Sequence, residues 1–250
     1  MLFETEPRSN PLIRKLAAAE TLTDRDCAVL TEMCSRTRQI AAGQDIIEAG
    51  EPPSDVHLVL DGFAYRYKLL PEGNRQIVAM LVPGDFCDLH VAILGEMDHS
   101  IATLIPCTIV EIPAATVRDL TENEPRITRA LWLATLVDEG ILREWLSSMG
   151  QREAPERMAH LFRELLLRLW LVGAADDSSY DLPLTQVDLG DILGMTSVHV
   201  NRTLRYLREN DLITFNSRRL TIQDVPRLKA YCSFDPAYLH LKSKRLMVER

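Results

Sequence analysis

The sequence predicts an α+β fold: an antiparallel β roll in front, a long helix in the middle, and a helical domain closed by a hairpin behind. Three observations predict it. Glycines at 43, 50, 62, 73 and 84 punctuate short β-prone runs between Arg38 and Pro113. From Pro125 to Met149 apolar residues recur at helical spacing, with no proline inside the run. After Leu184, two short helical segments separated by a glycine lead into two β-prone segments. The expected boundaries are 1–121 for the roll, 122–150 for the long helix, 151–232 for the rear domain and 233–250 for a tail.

The bulk numbers agree with a two-domain globular chain. It has 250 residues, 46% hydrophobic and 26% charged, which excludes a disordered or collagen-like protein. The net charge of -8 comes from the front half, whereas the rear is mildly basic and compatible with a nucleic-acid partner. Met1 to Asn10 has no apolar run, and no stretch reaches the roughly 18 apolar residues of a membrane span. A cytoplasmic protein with no membrane partner is expected. Cys27, Cys34, Cys87, Cys107 and Cys232 are scattered and odd in number, as reduced thiols are.

In chain order, Thr23 caps a short helix running to about Cys34, with Asp26 three residues on. Strands are expected at Val56–Leu60, Phe63–Leu69, Gln76–Leu81, Ile101–Leu104 and Thr108–Ile112. Asp61-Gly62, Pro71-Glu72-Gly73-Asn74 and Pro83-Gly84-Asp85 supply turns. On the long helix Ile127, Leu131, Ala134, Ile141 and Trp145 form one apolar seam, a surface for either the chain's own core or a second copy. Gly140 would let a partner approach closely. Gly150 ends that helix, Pro155 opens the next, and Gly173 to Asp181 is a polar loop.

The segment from Leu184 to Leu204 carries the most information. Thr185 caps a first helix, Gly190 leaves room for a crossing helix, Gly194 makes the turn, and Thr196 caps a second helix. Val200, Leu204 and Leu207 face inward. This is a helix-turn-helix. Its second helix exposes Ser197, Val198, His199, Asn201, Arg202 and Arg205, and Arg and Asn are the side chains that make paired contacts to guanine and adenine edges. Leu212–Phe215 and Leu220–Ile222 form a hairpin whose tip carries Arg218 and Arg219, suited to phosphates.

With these motifs in order, the sequence resembles a Crp/Fnr-type transcription regulator from Leu22 to Ile222. The roll's marks are Ala42-Gly43-Gln44-Asp45-Ile46-Ile47, Val59-Leu60-Asp61-Gly62, Gly73 and Pro83-Gly84-Asp85-Phe86; Glu153 to Ala159 resembles the start of the helix leading into the reading domain. The resemblance implies a jelly-roll sensor of the cyclic-nucleotide-binding type, a dimerisation helix and a winged helix-turn-helix. It also implies a homodimer on an inverted-repeat DNA site, contact with RNA polymerase, and a small-molecule or redox effector. Thr196, Ser197, Val198, His199, Asn201, Arg202, Arg205 and Arg218 would touch DNA, and the seam of Ile127, Leu131, Ala134, Ile141 and Trp145 would face the second copy.

The sequence departs from the family pattern in three places. The nucleotide cassette lacks its Glu, and its Arg position reads as His99, with Asp88 close by to repel phosphate; cyclic AMP binding is not expected. No cysteine precedes Cys27, so an iron–sulfur switch is not expected either. Of the family's Glu-x-x-Ser-Arg reading set, Val198, Asn201 and Arg202 stand at those positions and only the Arg is kept, which points to a different operator. An effector pocket, if present, would involve Cys87, Asp88, His90, His99 and Ser100; no metal set or cofactor is assigned. Two rivals remain. One is a constitutive DNA-binding protein with a purely structural roll. The other is a cupin-like metalloenzyme, against which stand the absence of a His-x-His pair and the helix-turn-helix itself. The reading is therefore of a regulator and not an enzyme.

Overall fold

The computed structural model describes residues 10–52, 54–90, 93 and 95–241. They form two compact units: residues before Leu69 with Val78–Leu136, and Leu69–Ile77 with those from Val137 on.

The first unit opens with α1 (Pro11–Ala19) and α2 (Asp24–Met33). Asn10 caps α1 by accepting from the Leu12 amide at 2.9 Å, and Pro11 fits its first turn. On α2, Thr23 and Asp26 form the expected reciprocal cap. Seven strands follow: β1 (Thr37–Ile40), β2 (Asp45–Ile47), β3 (Asp55–Asp61), β4 (Ala64–Leu69), β5 (Arg75–Leu81), β6 (Ser100–Thr103) and β7 (Cys107–Pro113). They make two antiparallel sheets, ordered β1-β7-β3 and β2-β6-β4-β5.

Both faces of the β1-β7-β3 sheet are covered. Val59, Ile109 and Cys107 point into an inner core with Ile47, Leu81, Cys87, Met97 and Ile101. Val56, Leu58, Val110 and Ile112 face an outer core with Leu12, Leu16, Leu30, Val117, Leu120, Ile127 and Leu131. Double burial explains why Val56, Leu58 and Val59 of β3 are all buried, with His57 between them, instead of alternating with exposed residues. Gly84 has φ +87°, and a Cβ there would lie 2.7 Å from the Pro11 carbonyl, so the turn must stay bare for α1 to pack.

Next come α3 (Ala114–Asn123) and the 27-residue α4 (Pro125–Gln151). The seam expected to face a second copy is instead buried within the chain. Ile127, Leu131, Ile141 and Trp145 are all buried and Ala134 is half-buried. Periodicity reveals an apolar face without revealing what covers it. The first two residues belong to the outer core, and Trp145 donates to Glu164 at 3.1 Å. Gly140 does admit a close neighbour, but it is the Tyr238 carbonyl of the same chain, 2.8 Å from where a Cβ would stand. The apolar residues that α4 leaves exposed are Trp132 and Leu136 in its first half and Leu142, Leu146 and Met149 in its second.

The second unit continues with α5 (Ala154–Val172), β8 (Ser179–Asp181), α6 (Gln186–Leu193), α7 (Ser197–Glu209), β9 (Ile213–Asn216), β10 (Arg219–Ile222) and α8 (Val225–Tyr231). Pro155 sits in the first turn of α5, Glu156 reaches back to the Glu153 amide, and Gly173 at φ +78° ends the helix. The loop expected after Gly173 contributes β8, which completes a three-stranded sheet ordered β8-β10-β9. Tyr180 of β8 is fully buried and its hydroxyl donates to the Phe162 carbonyl at 2.9 Å. The hairpin tip Leu69–Ile77 belongs here too: Arg75 donates to Asp188 at 2.7 Å and Asp191 at 2.8 Å on α6.

Beyond α8 the chain stays packed. Phe234, Pro236, Leu239 and Leu241 are buried, and Pro236–Leu239 forms a 3-10 turn, as the apolar spacing of the tail allows. Lys242, Lys244 and Arg245, candidate phosphate contacts in the tail, lie outside the described residues.

Candidate nucleic-acid interface

The reading head is built by local chemistry. Thr185 accepts from the Asp188 amide at 3.1 Å while Asp188 accepts from the Thr185 amide at 2.9 Å, which fixes the start of α6. Gly194 closes α6 in the left-handed region at φ +62°. A Cβ on Gly190 would come within 2.6 Å of the Met195 carbonyl, so this glycine makes room for the turn backbone more than for the crossing helix. Thr196 accepts from the His199 amide at 3.3 Å and sets the start of α7. Val200, Thr203, Leu204 and Leu207 then anchor α7 in the core.

That anchoring turns the other face outward. Thr196, Ser197, Val198, Asn201, Arg202 and Arg205 are exposed and His199 is half-buried. Val198 is 81% exposed. Arg205 has only a loose contact with Glu209 at 3.9 Å. The wing is a two-residue turn in which both Ser217 (φ 49°) and Arg218 (φ 66°) adopt the left-handed conformation, with Arg218 at the exposed tip. Its neighbour Arg219 is engaged, pairing with Asp176 and, at 3.0 Å, with Asp181. Arg218 is exposed at the tip, whereas Arg219 is committed to Asp176 and Asp181.

In the roll, the five residues expected around a pocket do not form one group. Cys87 and Asp88 turn inward. Cys87 is fully buried in the inner core, and burial first, then the Asp88 charge, pushes its thiol well above the ordinary value. Asp88 is also fully buried and holds His57, accepting from its amide at 2.6 Å and meeting its Nδ1 at 2.6 Å. A partner 31 residues away gave no sequence signal. Ser100 is half-buried and accepts from the Ala49 amide at 3.0 Å.

His90 and His99 do come together, with ring centres 5.6 Å apart. Asp98, which the sequence did not single out, joins them, meeting His99 Nδ1 at 2.6 Å. Burial, followed by the nearby Arg66 charge for His90, keeps both imidazoles below their usual pKa. For His99 the Asp98 hydrogen bond opposes that shift. Arg66 donates to the Cys87 and Phe86 carbonyls at 2.8 and 2.7 Å.

A β roll and a winged helix-turn-helix in one chain define a DNA-binding transcription regulator. Residues 37–124 match the family model described as a cyclic nucleotide-binding domain, and residues 156–231 match the Crp-like helix-turn-helix domain. The chain belongs to the Crp/Fnr family of regulators. It is 28% identical over 227 residues to the nitrogen fixation regulation protein FixK of Bradyrhizobium diazoefficiens, covering 89% of this chain and 92% of that one. It is 28% identical over 221 residues to the transcriptional activator protein FnrL of Cereibacter sphaeroides, covering 86% and 88%. Among solved structures, FixK2 from Bradyrhizobium japonicum superimposes with a TM-score of 0.71 at 24% identity, covering 78% of this chain and 96% of that one. No helix among the described residues is long and apolar enough to cross a membrane.

Proposed function

We propose that the chain works as a homodimer on an inverted-repeat operator, with two copies of α7 entering successive major grooves about 34 Å apart. The observation that carries this reading is the outward face of α7, where a capped N-terminal turn presents Val198, Asn201 and Arg202 together. Arg202 suits the N7 and O6 edge of a guanine, Asn201 an adenine or phosphate, and Val198 a thymine methyl. The exposed apolar residues of α4, with Trp132 at 74% and Leu146 at 71%, support pairing with a second copy. They replace the buried seam as the candidate dimer surface.

Selection of bound DNA from a random pool tests the operator, and an enriched inverted repeat is the expected result. On that operator Arg202→Ala should lose about 1–3 kcal/mol of binding and relax choice at one base pair. A loss equal on every sequence would make Arg202 a phosphate contact instead. Cyclic AMP is not the signal in this reading, because the cassette has no Glu and carries His99 at the Arg position. Calorimetric titration with cyclic AMP should show no heat of binding, and micromolar affinity would overturn the assignment.

A further inference from the structure

We propose that the roll binds one divalent transition-metal ion through the imidazoles of His90 and His99, with the Asp98 carboxylate orienting the His99 ring. One ligand atom from each of the three residues lies within 4.8 Å of the other two, which gathers the two imidazoles and the carboxylate that fixes one of them in one place. A second, independent observation points the same way. His99 is only 8% exposed, and its Nε2 is buried with no hydrogen-bond partner. A buried imidazole nitrogen without a partner costs free energy unless something occupies it.

The contacts around His99 say what that something is. Its Nδ1 already meets Asp98, which places the proton on Nδ1 and the lone pair on Nε2. A carboxylate holding one ring nitrogen so that the other can bind metal is the usual way proteins orient a ligand histidine. His90 is half-buried and Asp98 exposed, so the cluster has a path to solvent. Lys68, 3.6 Å from Asp98, is exposed and free to swing away. Two imidazoles suit Zn²⁺, Co²⁺, Ni²⁺ or Fe²⁺ over Mg²⁺ or Ca²⁺, and two protein donors leave positions for water or an exogenous ligand.

The test uses the full-length chain without a histidine tag, stripped with a chelator and kept reduced. Zn²⁺ is titrated by calorimetry and Co²⁺ by visible absorption. The expected result is one ion per chain, with Co²⁺ ligand-field bands and no thiolate charge-transfer band. His90→Ala and His99→Ala should each weaken binding by about 100-fold or more, and Asp98→Ala by about 10–100-fold. His90 is only partly buried, so its variant keeps the test alive if the His99 variant fails to fold. Failure to saturate at 100-fold molar excess of either ion would overturn the proposal. So would stoichiometric binding that survives His90→Ala, or a thiolate band showing that cysteines hold the ion.

Discussion

Glu164→Ala is expected to destabilise the second unit by about 3–5 kcal/mol, a large share of the total stability of an ordinary domain. The carboxylate is fully buried on α5 and serves three donors at once. It accepts from Trp145 Nε1 at 3.1 Å, from the Tyr238 hydroxyl at 2.8 Å and from Arg168 Nη1 at 3.0 Å. The alanine takes the acceptor from all three and removes the charge that balances a guanidinium only 7% exposed. Burial raises the Glu164 pKa, and the Arg168 charge opposes the rise. Urea unfolding followed by circular dichroism measures the loss. Glu164→Gln, which keeps an acceptor oxygen, should lose less, and Glu164→Leu with Arg168→Leu should recover much of the deficit. If the alanine variant unfolds within 1 kcal/mol of the parent, the cluster does not hold this unit together.

Acid should weaken the same unit through His160. The ring is almost fully buried beside Phe234 and Tyr238, and burial, reinforced by the Arg152 charge, lowers its pKa to about 3. Glu144 lies 3.3 Å from Nε2 without hydrogen-bond geometry, and its charge is already taken by Arg152 at 2.8 Å. The unfolded chain accepts a proton at this histidine below about pH 6.5, whereas the folded one refuses it until about pH 3. The contribution is therefore complete above pH 6.5 and is lost as pH falls, at about 1.4 kcal/mol per pH unit, or roughly 3 kcal/mol by pH 4. His90 and His99 in the roll shift in the same direction, so His160→Phe is needed to isolate the effect. Phenylalanine suits the aromatic surroundings, and the variant should flatten unfolding midpoints between pH 4 and 6.5. An unchanged slope would assign the acid sensitivity to other groups.

The parts of this molecule that were readable from sequence are those decided locally. Thr23, Thr185, Thr196, Gly194 and Pro155 announce helix ends because caps and turns depend on neighbouring atoms. The recognition helix was readable for the same reason. Elements that depend on distant partners were not. β1, exposed at three of its four residues, and the three-residue β8 exist by pairing with strands 60 or more and about 40 residues away. α1 carries just three buried residues and is held by the outer core. The seam of α4 was visible, but its owner was not, since a period says which residues are apolar and not which body covers them. His90, Asp98 and His99 follow no ligand spacing that would mark them, and only the fold gathers them.

The Crp-like helix-turn-helix match stops at residue 231, but the molecule's interior does not. An expression boundary drawn at the edge of that match would discard Phe234, Leu239 and Leu241. With Phe234 goes the ring under Arg163, and the cut would also remove Tyr238, whose hydroxyl donates to Glu164. The shortened product would carry an open apolar trough beside buried charges, a recipe for aggregation during purification. Any isolated reading domain made from this gene should run at least through Leu241.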